Sequence, residues 1–297
     1  MEIIHYSACP VCNSTDISLA LSAKDYTVSG ETFAIYECGK CGARFTQDIP
    51  NPANIGKYYA SSSYISHTDT SEGMVNKLYH RVRKITLDQK GKLVLRATGL
   101  QKGKLLDVGA GTGLFVLQMK ERGWDTIGLE PDEGARKVAI SKGVDLKESS
   151  DLFSLQTASF NAITLWHVLE HVHDLHNYLE QFRKLLAPAG KLIIAVPNYT
   201  SADAKYYGEY WAAYDVPRHL YHFSPSSMNA LLNNHHFTLE KIHPQWFDSF
   251  YVSLLSEKYK TGKDKFVAGA WHGAMSNVKA IGSKEKCSSL IYVAGIR

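Results

Sequence analysis

Residues 105–113 have the sequence Leu105-Leu106-Asp107-Val108-Gly109-Ala110-Gly111-Thr112-Gly113, the strongest structural signal in this 297-residue chain. An apolar strand that ends near an acid is followed by a glycine at every second position. Because glycine has no Cβ, the main chain of this loop lets a ligand lie directly against it. The next residues, 114–119, predict a helix. A strand, a glycine turn and a helix form the layout of a nucleotide-type binding site.

The spacing of the glycines separates two kinds of ligand. A dinucleotide fingerprint requires Gly-x-Gly-x-x-Gly, but its sixth position is Leu114 here. The chain instead has Asp-x-Gly-x-Gly-x-Gly, which resembles the first motif of class I S-adenosylmethionine (SAM)-dependent methyltransferases. The methionine end of SAM carries an ammonium group, which the Asp107 carboxylate can help to hold, directly or through water. Taken alone, the loop also fits a tight turn in any α/β protein.

Downstream of this loop, strand and helix patterns alternate. Strands are predicted over 104–108, 124–129, 144–147, 160–165, 191–196, 237–242 and 289–293, and helices over 114–122, 132–142, 175–186 and from Pro225 onward. Such alternation indicates an α/β fold with a parallel sheet and helices on both faces. The final strands would complete the Rossmann-like, doubly wound sheet of seven strands that is typical of the methyltransferase family.

Two further strand ends fit the same resemblance. Glu130 ends the second strand, where an acid can accept hydrogen bonds from both ribose hydroxyls. After the fourth strand, residues 165–172 (LWHVLEHV) resemble a segment of the branch that includes ubiquinone-biosynthesis methyltransferases. Because ligands bind outside the carboxyl ends of strands, Trp166 and His167 are expected to line the sulfur end of the cofactor or the substrate pocket. Glu170 and His171 fit a structural role equally well.

The loop after the third strand supplies the remaining cofactor candidates. By resemblance to the family, this loop meets the adenine of SAM through one acid and one backbone amide. The residues at the matching positions are Ser150 and Asp151.

Four of the five cysteines form two Cys-x-x-Cys pairs. Cys9 and Cys12 are separated from Cys38 and Cys41 by 25 residues. In a reducing compartment, two such pairs predict a tetrahedral structural Zn²⁺ site, here in a zinc-ribbon-like module over residues 1–48. Four thiolates leave no open coordination position, so the metal is not expected to be catalytic. Disulfides and a redox pair are the alternatives.

Residues 49–98 predict a linker and an N-terminal cap helix, and residues 99–297 the methyltransferase domain. A connection of this domain, residues 199–223, is unusually long and aromatic, and we name it the lid segment because it is predicted to roof the active site. The candidate substrate or lid residues are Tyr210, Trp211 and Arg218, with Tyr58, Tyr64 and His67 closing the pocket from the N-terminal side.

Three histidines are the candidate catalytic residues. His219 or His222 of the lid segment is predicted to act as general base toward a hydroxyl, because an imidazole pKa of about 6.5 suits proton transfer at neutral pH. His167, at the strand end, is the third candidate. Alternatively, His219 and His222 brace the lid segment through hydrogen bonds.

Composition limits the partners. The net charge of +4 gives no strong case for nucleic acid or an anionic membrane. Residues 1–60 hold four basic and six acidic side chains, the wrong sign for a phosphate-binding face. The chain has neither an apolar run of transmembrane length nor the pattern of a signal peptide, so no membrane partner and a cytoplasmic location are expected.

Three functions remain open at this point. The first is a SAM-dependent methyltransferase acting on a small molecule, on an oxygen of a sugar, lipid precursor or secondary metabolite. The second is an RNA or protein methyltransferase that uses the zinc module to hold its substrate. The Asn/Asp-Pro-Pro-aromatic motif of amino-methylating nucleic-acid enzymes is absent after strand four. The third is a SAM-binding protein without transferase activity.

Overall fold

The computed structural model describes residues 2–59 and 74–297, with side chains in the second range from residue 82 onward. The predictions for Tyr64 and His67 lie outside the described residues. Among the described helices, none is long and apolar enough to cross a membrane.

The N-terminal module is built from short antiparallel strands. They are β1 (Ile3–Ile4), β2 (Ile17–Lys24), β3 (Thr32–Cys38), β4 (Arg44–Thr46) and β5 (Ile49–Pro50). The turn between β2 and β3 forms around Asp25, whose carboxylate accepts hydrogen bonds from the amides of Thr27, Val28 and Ser29. Such side-chain acceptance is the reason that aspartate favours turns.

The remaining chain alternates helices and strands. In order, they are α1 (Met74–Thr98), β6 (Lys104–Val108), α2 (Leu114–Glu121), β7 (Asp125–Leu129), α3 (Glu133–Ser141), β8 (Phe160–Trp166), α4 (Leu175–Leu185), β9 (Leu186–Pro197), α5 (Ala202–Tyr207), β10 (Tyr221–His222), α6 (Pro225–Asn234), β11 (Phe237–Pro244), α7 (Asp248–Thr261), α8 (Phe266–Gly282) and β12 (Ser289–Ile296). The central sheet has the order β11-β12-β9-β8-β6-β7. Its strands β9, β8, β6 and β7 are parallel, and β12 and β11 are antiparallel to their neighbours.

The predicted fold class is confirmed, with one difference in the sheet. The described sheet has six strands, because the strand expected over 144–147 is reduced to one parallel bridge between Leu129 and Lys147. Val144 and Leu146 are buried as a strand would require. However, Gly143 adopts φ +78° and Glu148 caps a 3₁₀ helix over Ser149–Ser154, so too few residues remain for a ladder.

The N-terminal module and the lid segment share one antiparallel sheet. β10 of the lid segment pairs with β4, placing Tyr221 opposite Phe45 and His222 opposite Arg44. The Thr46 hydroxyl also donates to the carbonyl oxygen of His219 at 2.7 Å. The buried cluster that holds the cysteines of the module continues into β8 and β9. The module therefore pairs directly with the lid segment through main-chain and side-chain hydrogen bonds.

Candidate active site

The glycine loop follows β6, and its three glycines have left-handed backbone. Their φ angles are +70°, +55° and +73° at Gly109, Gly111 and Gly113. A Cβ on Gly109 would lie 2.3 Å from Cγ2 of Val168, whereas one on Gly111 would meet nothing within 4 Å. Gly109 is therefore required by packing against the segment after β8. Gly111 instead borders open space where a ligand can approach the main chain.

Glu130 lies at the end of β7, directly beside this loop. Its carboxylate accepts hydrogen bonds from the amides of Gly111 at 2.7 Å and Asp132 at 3.0 Å. The residue is only 8% exposed. The loop thus fixes the acid at the carboxyl edge of the sheet, where a nucleotide ribose binds in folds of this kind.

Asp107 is buried beneath the loop and accepts a hydrogen bond from the Thr164 hydroxyl at 2.6 Å. Burial raises the pKa of Asp107 to about 7, although Thr164 and the charge of Lys90 act in the opposite direction. The Asp107 carboxyl is therefore poised between its two protonation states near neutral pH, and a cation bound beside it would favour the ionised form.

Lys90 of α1 reaches the same region and was not predicted. Its ammonium nitrogen lies 4.5 Å from the centroid of the Trp166 ring. Burial lowers the pKa of Lys90, while the charges of Asp107 and Asp248 oppose that shift. A sequence signal for it did exist. Lys90 lies three residues after Leu87 and four before Val94, on the stripe of α1 that faces the sheet, where a cation is unusual.

Trp166 and His167 occupy the end of β8, as expected from the sequence. Trp166 packs edge-on against Phe115, and its indole N–H is buried without a hydrogen-bond acceptor among the described residues. His167 has φ +59°, and its Nε2 lies 2.8 Å from Oδ2 of Asp248. Burial would lower the pKa of His167, but Asp248 and then Glu170 outweigh it and raise that pKa to about 10. The imidazole is thus a cation at neutral pH.

Glu170, His171 and His219 form a second group, which we name the acid–base cluster. One ligand atom of each lies within 4.8 Å of the others. The Glu170 side chain is fully buried, and its carboxylate oxygens have no hydrogen-bond partner among the described residues. Burial and the neighbouring His219 lower the pKa of His171 to about 4. Carboxylate and imidazole groups at this spacing can move a proton or hold a divalent cation.

The two lid histidines occupy different places. Nδ1 of His219 lies 2.8 Å from the carbonyl oxygen of Ala213, so Nδ1 carries the proton of the neutral ring and Nε2 keeps a lone pair. His222 is buried on the module side, with Nε2 3.1 Å from the Thr46 hydroxyl. Burial places the pKa of His222 well below its usual value. Of the two, His219 is the one that the structure brings to the cluster.

The other lid candidates are engaged by protein groups. The Arg218 guanidinium is buried, lies 3.1 Å from Oδ1 of Asp25 and donates to the carbonyl oxygen of Tyr58 at 2.7 Å. The Tyr58 hydroxyl donates to Glu31 at 2.6 Å. These contacts join the lid segment to the N-terminal module. Their predicted roles toward substrate stay predictions.

Tyr210 and Trp211 lie farther along the lid segment. The Trp211 indole N–H donates to Asp203 at 2.9 Å, and its side chain is buried. The Tyr210 ring lies 6.4 Å from that of Tyr26 in the N-terminal module. Both residues therefore pack within the lid segment and its neighbours.

The candidate adenine residues lie on the same edge of the sheet as Glu130. The amide of Glu148 donates to the Asp151 carboxylate at 3.2 Å, and Ser150 is exposed. The bridge at Lys147 brings this turn beside Glu130, whose amide donates to the Lys147 carbonyl oxygen at 2.9 Å. Their contact with adenine remains a prediction.

The four paired cysteines come together in the N-terminal module. The sulfur atoms of Cys9 and Cys41 are 3.7 Å apart, and those of Cys12 and Cys38 are 3.6 Å apart. A disulfide requires about 2.05 Å. Four sulfurs at about 2.3 Å from a tetrahedral zinc ion are separated by about 3.8 Å. The arrangement therefore fits a Cys₄ zinc site, in which all four ligands would come from the protein.

Known proteins share the central part of this chain. Residues 79–242 match a family model described as a methyltransferase domain. The ubiquinone biosynthesis O-methyltransferase of Xanthomonas oryzae pv. oryzae is 29% identical over 180 residues, covering 56% of this chain and 74% of that protein. That of Idiomarina loihiensis is 32% identical over 156 residues, covering 50% and 61%. A SAM-dependent methyltransferase from Archaeoglobus fulgidus shares the fold, with a TM-score of 0.50, 19% identity and coverage of 71% and 93%.

Proposed function

This chain belongs to the methyltransferase-domain family, and from that premise we propose that it methylates an oxygen atom of a small molecule. It is a SAM-dependent methyltransferase. The acceptor class that we propose is a hydroxyl of a sugar, lipid precursor or secondary metabolite. Two findings support oxygen as the acceptor: the relatives from Xanthomonas oryzae and Idiomarina loihiensis are O-methyltransferases, and the acid–base cluster can remove a hydroxyl proton.

SAM supplies a methyl group that its sulfonium has already activated. The residues of this chain therefore need mainly to bind, orient and exclude water. We assign the ribose hydroxyls to Glu130 and the methionine ammonium to Asp107. Lys90 is the cation within reach of Asp107 that suits the methionine carboxylate. Ser150 and Asp151 remain the candidates for adenine.

One observation carries the proposal for the acceptor. A buried carboxylate, Glu170, lies beside His219, whose Nδ1 is already engaged by a carbonyl oxygen. Nε2 of His219 accepts the proton of the acceptor hydroxyl, and the Glu170 carboxylate stabilises the imidazolium that results. His167 is held as a cation between Asp248 and Glu170 and adds positive charge beside the proposed acceptor site.

The test compares His219→Ala with His222→Ala, a matched control three positions further along the lid segment. Purified protein receives tritiated SAM and a panel of phenols, catechols and sugars, and methyl transfer and SAM affinity are both measured. His219→Ala is expected to lower turnover by about 10²–10⁴-fold with unchanged SAM affinity. Turnover of the His219→Ala protein equal to that of the wild type would overturn the base role.

The same assay separates the competing functions. Label transferred only to RNA or protein pools would replace the small-molecule acceptor. Tight SAM binding without turnover on any pool would contradict a transferase. If EDTA removes activity and Mg²⁺ or Mn²⁺ restores it, the acid–base cluster holds a cation and His219 is not the proton acceptor.

We further propose that Cys9, Cys12, Cys38 and Cys41 bind one structural zinc ion. Their sulfur separations support a closed tetrahedral site. The role that we assign to the metal is to fold the module that holds the lid segment, because short metal-bound modules obtain folding energy from the metal. Elemental analysis of the purified protein should find one zinc per chain, and a metal-free, fully active protein would contradict this role.

A further inference from the structure

The helix α8 buries small residues and exposes large apolar side chains, which is the reverse of a typical surface helix of a soluble protein. The buried side of α8 consists of small residues, of which Gly269 and Gly273 face α7. A Cβ on Gly269 would lie 2.8 Å from Cα of Leu254, and one on Gly273 would lie 2.9 Å from Cα of Phe250. The two helices therefore approach closely, and the large apolar side chains of α8 are left on the other side.

Those large side chains form one stripe along the helix. Residues at positions 267, 271, 278 and 281 fall on a single face at 3.6 residues per turn. Their exposed fractions are 85% for Val267, 64% for Trp271, 56% for Val278 and 74% for Ile281. We name these four residues the α8 face. Large apolar patches of this kind mark sites of interaction when they are exposed on a folded protein.

Lysines border the same helix. Residues 257–286 contain seven lysines and three acids, a net charge of +4 that equals the net charge of the whole chain. All seven lysines are exposed, whereas the acid Glu257 is buried. Lys263 and Lys265 precede α8, and Lys279, Lys284 and Lys286 stand at its other end. The excess positive charge of the protein is thus concentrated around the α8 face.

We propose that the α8 face binds the surface of an anionic lipid bilayer. Trp and large aliphatic side chains on one side of a helix, with lysines at its ends, are the features of a helix that lies in the membrane interface. Each lysine near an anionic surface adds a favourable electrostatic contribution. The low net charge of the whole chain argued against an anionic membrane as a partner. That net charge, however, does not show that positive charge is concentrated near α8.

A second copy of this chain suits the face less well. Pairing two α8 faces would bring two sets of seven exposed lysines together, and like charges in an interface oppose association. The α8 face is also a single row of exposed side chains along one helix, so it offers a flat partner more contact than an extended peptide. A bilayer surface satisfies both the apolar stripe and the charge.

The position of α8 connects this surface with the acceptor site. Asn277 of α8 donates to the carbonyl oxygen of Trp246 and accepts from the Ser249 hydroxyl, both at 2.9 Å. These two residues flank Asp248, which pairs with His167. The end of the α8 face that holds Val278 and Ile281 therefore lies near the acceptor site. A membrane-embedded acceptor would reach it from the lipid surface.

The experiment is cosedimentation of the full chain with vesicles of phosphatidylcholine alone and of phosphatidylcholine with phosphatidylglycerol. We expect binding to the anionic vesicles that weakens as salt is raised. Trp271→Glu and Val267→Asp should each lower the bound fraction by about tenfold. The matched control is Ile140→Asp, an exposed apolar position on α3, which should bind as the wild type does. Lys284→Glu should weaken binding and reduce its salt dependence.

If something other than a lipid bilayer covers the α8 face, the experiment gives different results. Equal pelleting of the wild type and Val267→Asp, or no pelleting with anionic vesicles, would overturn the proposal. So would a wild-type dimer that Val267→Asp converts to monomer in sedimentation velocity, because a second copy would then occupy the face. A fall in melting temperature of both variants would show that another part of this chain covers it. Vesicle binding does not depend on methyl transfer, so its failure would leave the proposed function untouched.

Discussion

His167 and Asp248 lie 2.8 Å apart, and this pair joins the end of β8 to the first residue of α7. His167 holds a left-handed backbone conformation that few non-glycine residues adopt. The pair places an imidazolium at the carboxyl edge of the sheet, beside the buried carboxylate of Glu170. The contact between the end of a strand and the start of a helix thus sets the charge of a residue in the candidate active site.

Replacing Asp248 with asparagine should lower the pKa of His167 from about 10, because the charge that raises it most is removed while burial, which lowers it, remains. The pKa is raised in the folded state, so the pair stabilises the protein fully below the unfolded value of about 6.5. That stabilisation is lost as the pH rises through 10. NMR titration of the His167 ring protons measures the shift. Asp264→Asn, which changes an exposed acid two residues before α8, should leave it unchanged, and an equal shift in both variants would exclude a specific pair.

SAM affinity should increase as the pH rises through about 7, the pKa of the buried Asp107 carboxyl. Only the ionised carboxylate attracts the methionine ammonium, so binding in the protonated state must release a proton. Because only one proton is released, SAM affinity can change by at most about tenfold per pH unit. Calorimetry in two buffers of different ionisation enthalpy counts the protons released. Asp107→Asn should bind more weakly and without pH dependence, and a persistent dependence would assign the proton to another group.

A comparison of the Gly109→Ala and Gly111→Ala variants should distinguish a glycine required for packing from a glycine required for ligand access. Both positions have positive φ, so alanine costs about 1–2 kcal/mol of strain at each. Only the alanine at 109 also collides with Val168, and we expect it to lower the melting temperature more. Gly111→Ala should mainly weaken SAM binding, because its methyl group enters the open space. The double variant Gly109→Ala/Val168→Ala should recover part of the stability, and no recovery would contradict the steric explanation.

The parts of the site that the sequence predicts are those with local signals. The glycine loop, Glu130 and the end of β8 each follow a strand within a few residues, and the carboxyl edge of a parallel sheet brings them together. Asp248 and Lys90 were missed, because their positions depend on how α7 and α1 pack onto the sheet. The apolar periodicity of α8 also did not predict the exposed α8 face, because periodicity does not show whether the large apolar residues face the core or the solvent.

Arg218 is a residue that the sequence singled out for substrate binding but whose protein partners it did not predict. An arginine in a long aromatic connection resembles a substrate-binding residue, and nothing near it in sequence reveals a partner 193 positions away. The structure pairs its guanidinium with Asp215, three positions earlier, and with the distant Asp25, while the Tyr58 carbonyl oxygen accepts a hydrogen bond from it. Contacts of this range depend on the shared sheet of β4 and β10, which sequence periodicity does not report.

Removing zinc should loosen the lid segment before it affects the central sheet. The amide of Thr46 donates to the Leu220 carbonyl oxygen at 2.9 Å, and this contact joins a strand next to the cysteines to the lid segment. Chelation or Cys41→Ser should therefore accelerate hydrogen exchange at Thr46, Tyr221 and His222. Amides of β6 and β8 should stay protected, since their partners are neighbouring strands. Cys287→Ser, which changes a buried thiol outside the cluster, is the control and should leave the Thr46 exchange rate unchanged. Uniform loss of protection after chelation would mean that the metal supports the whole domain, and unchanged exchange at β10 would show that the lid segment is held without it.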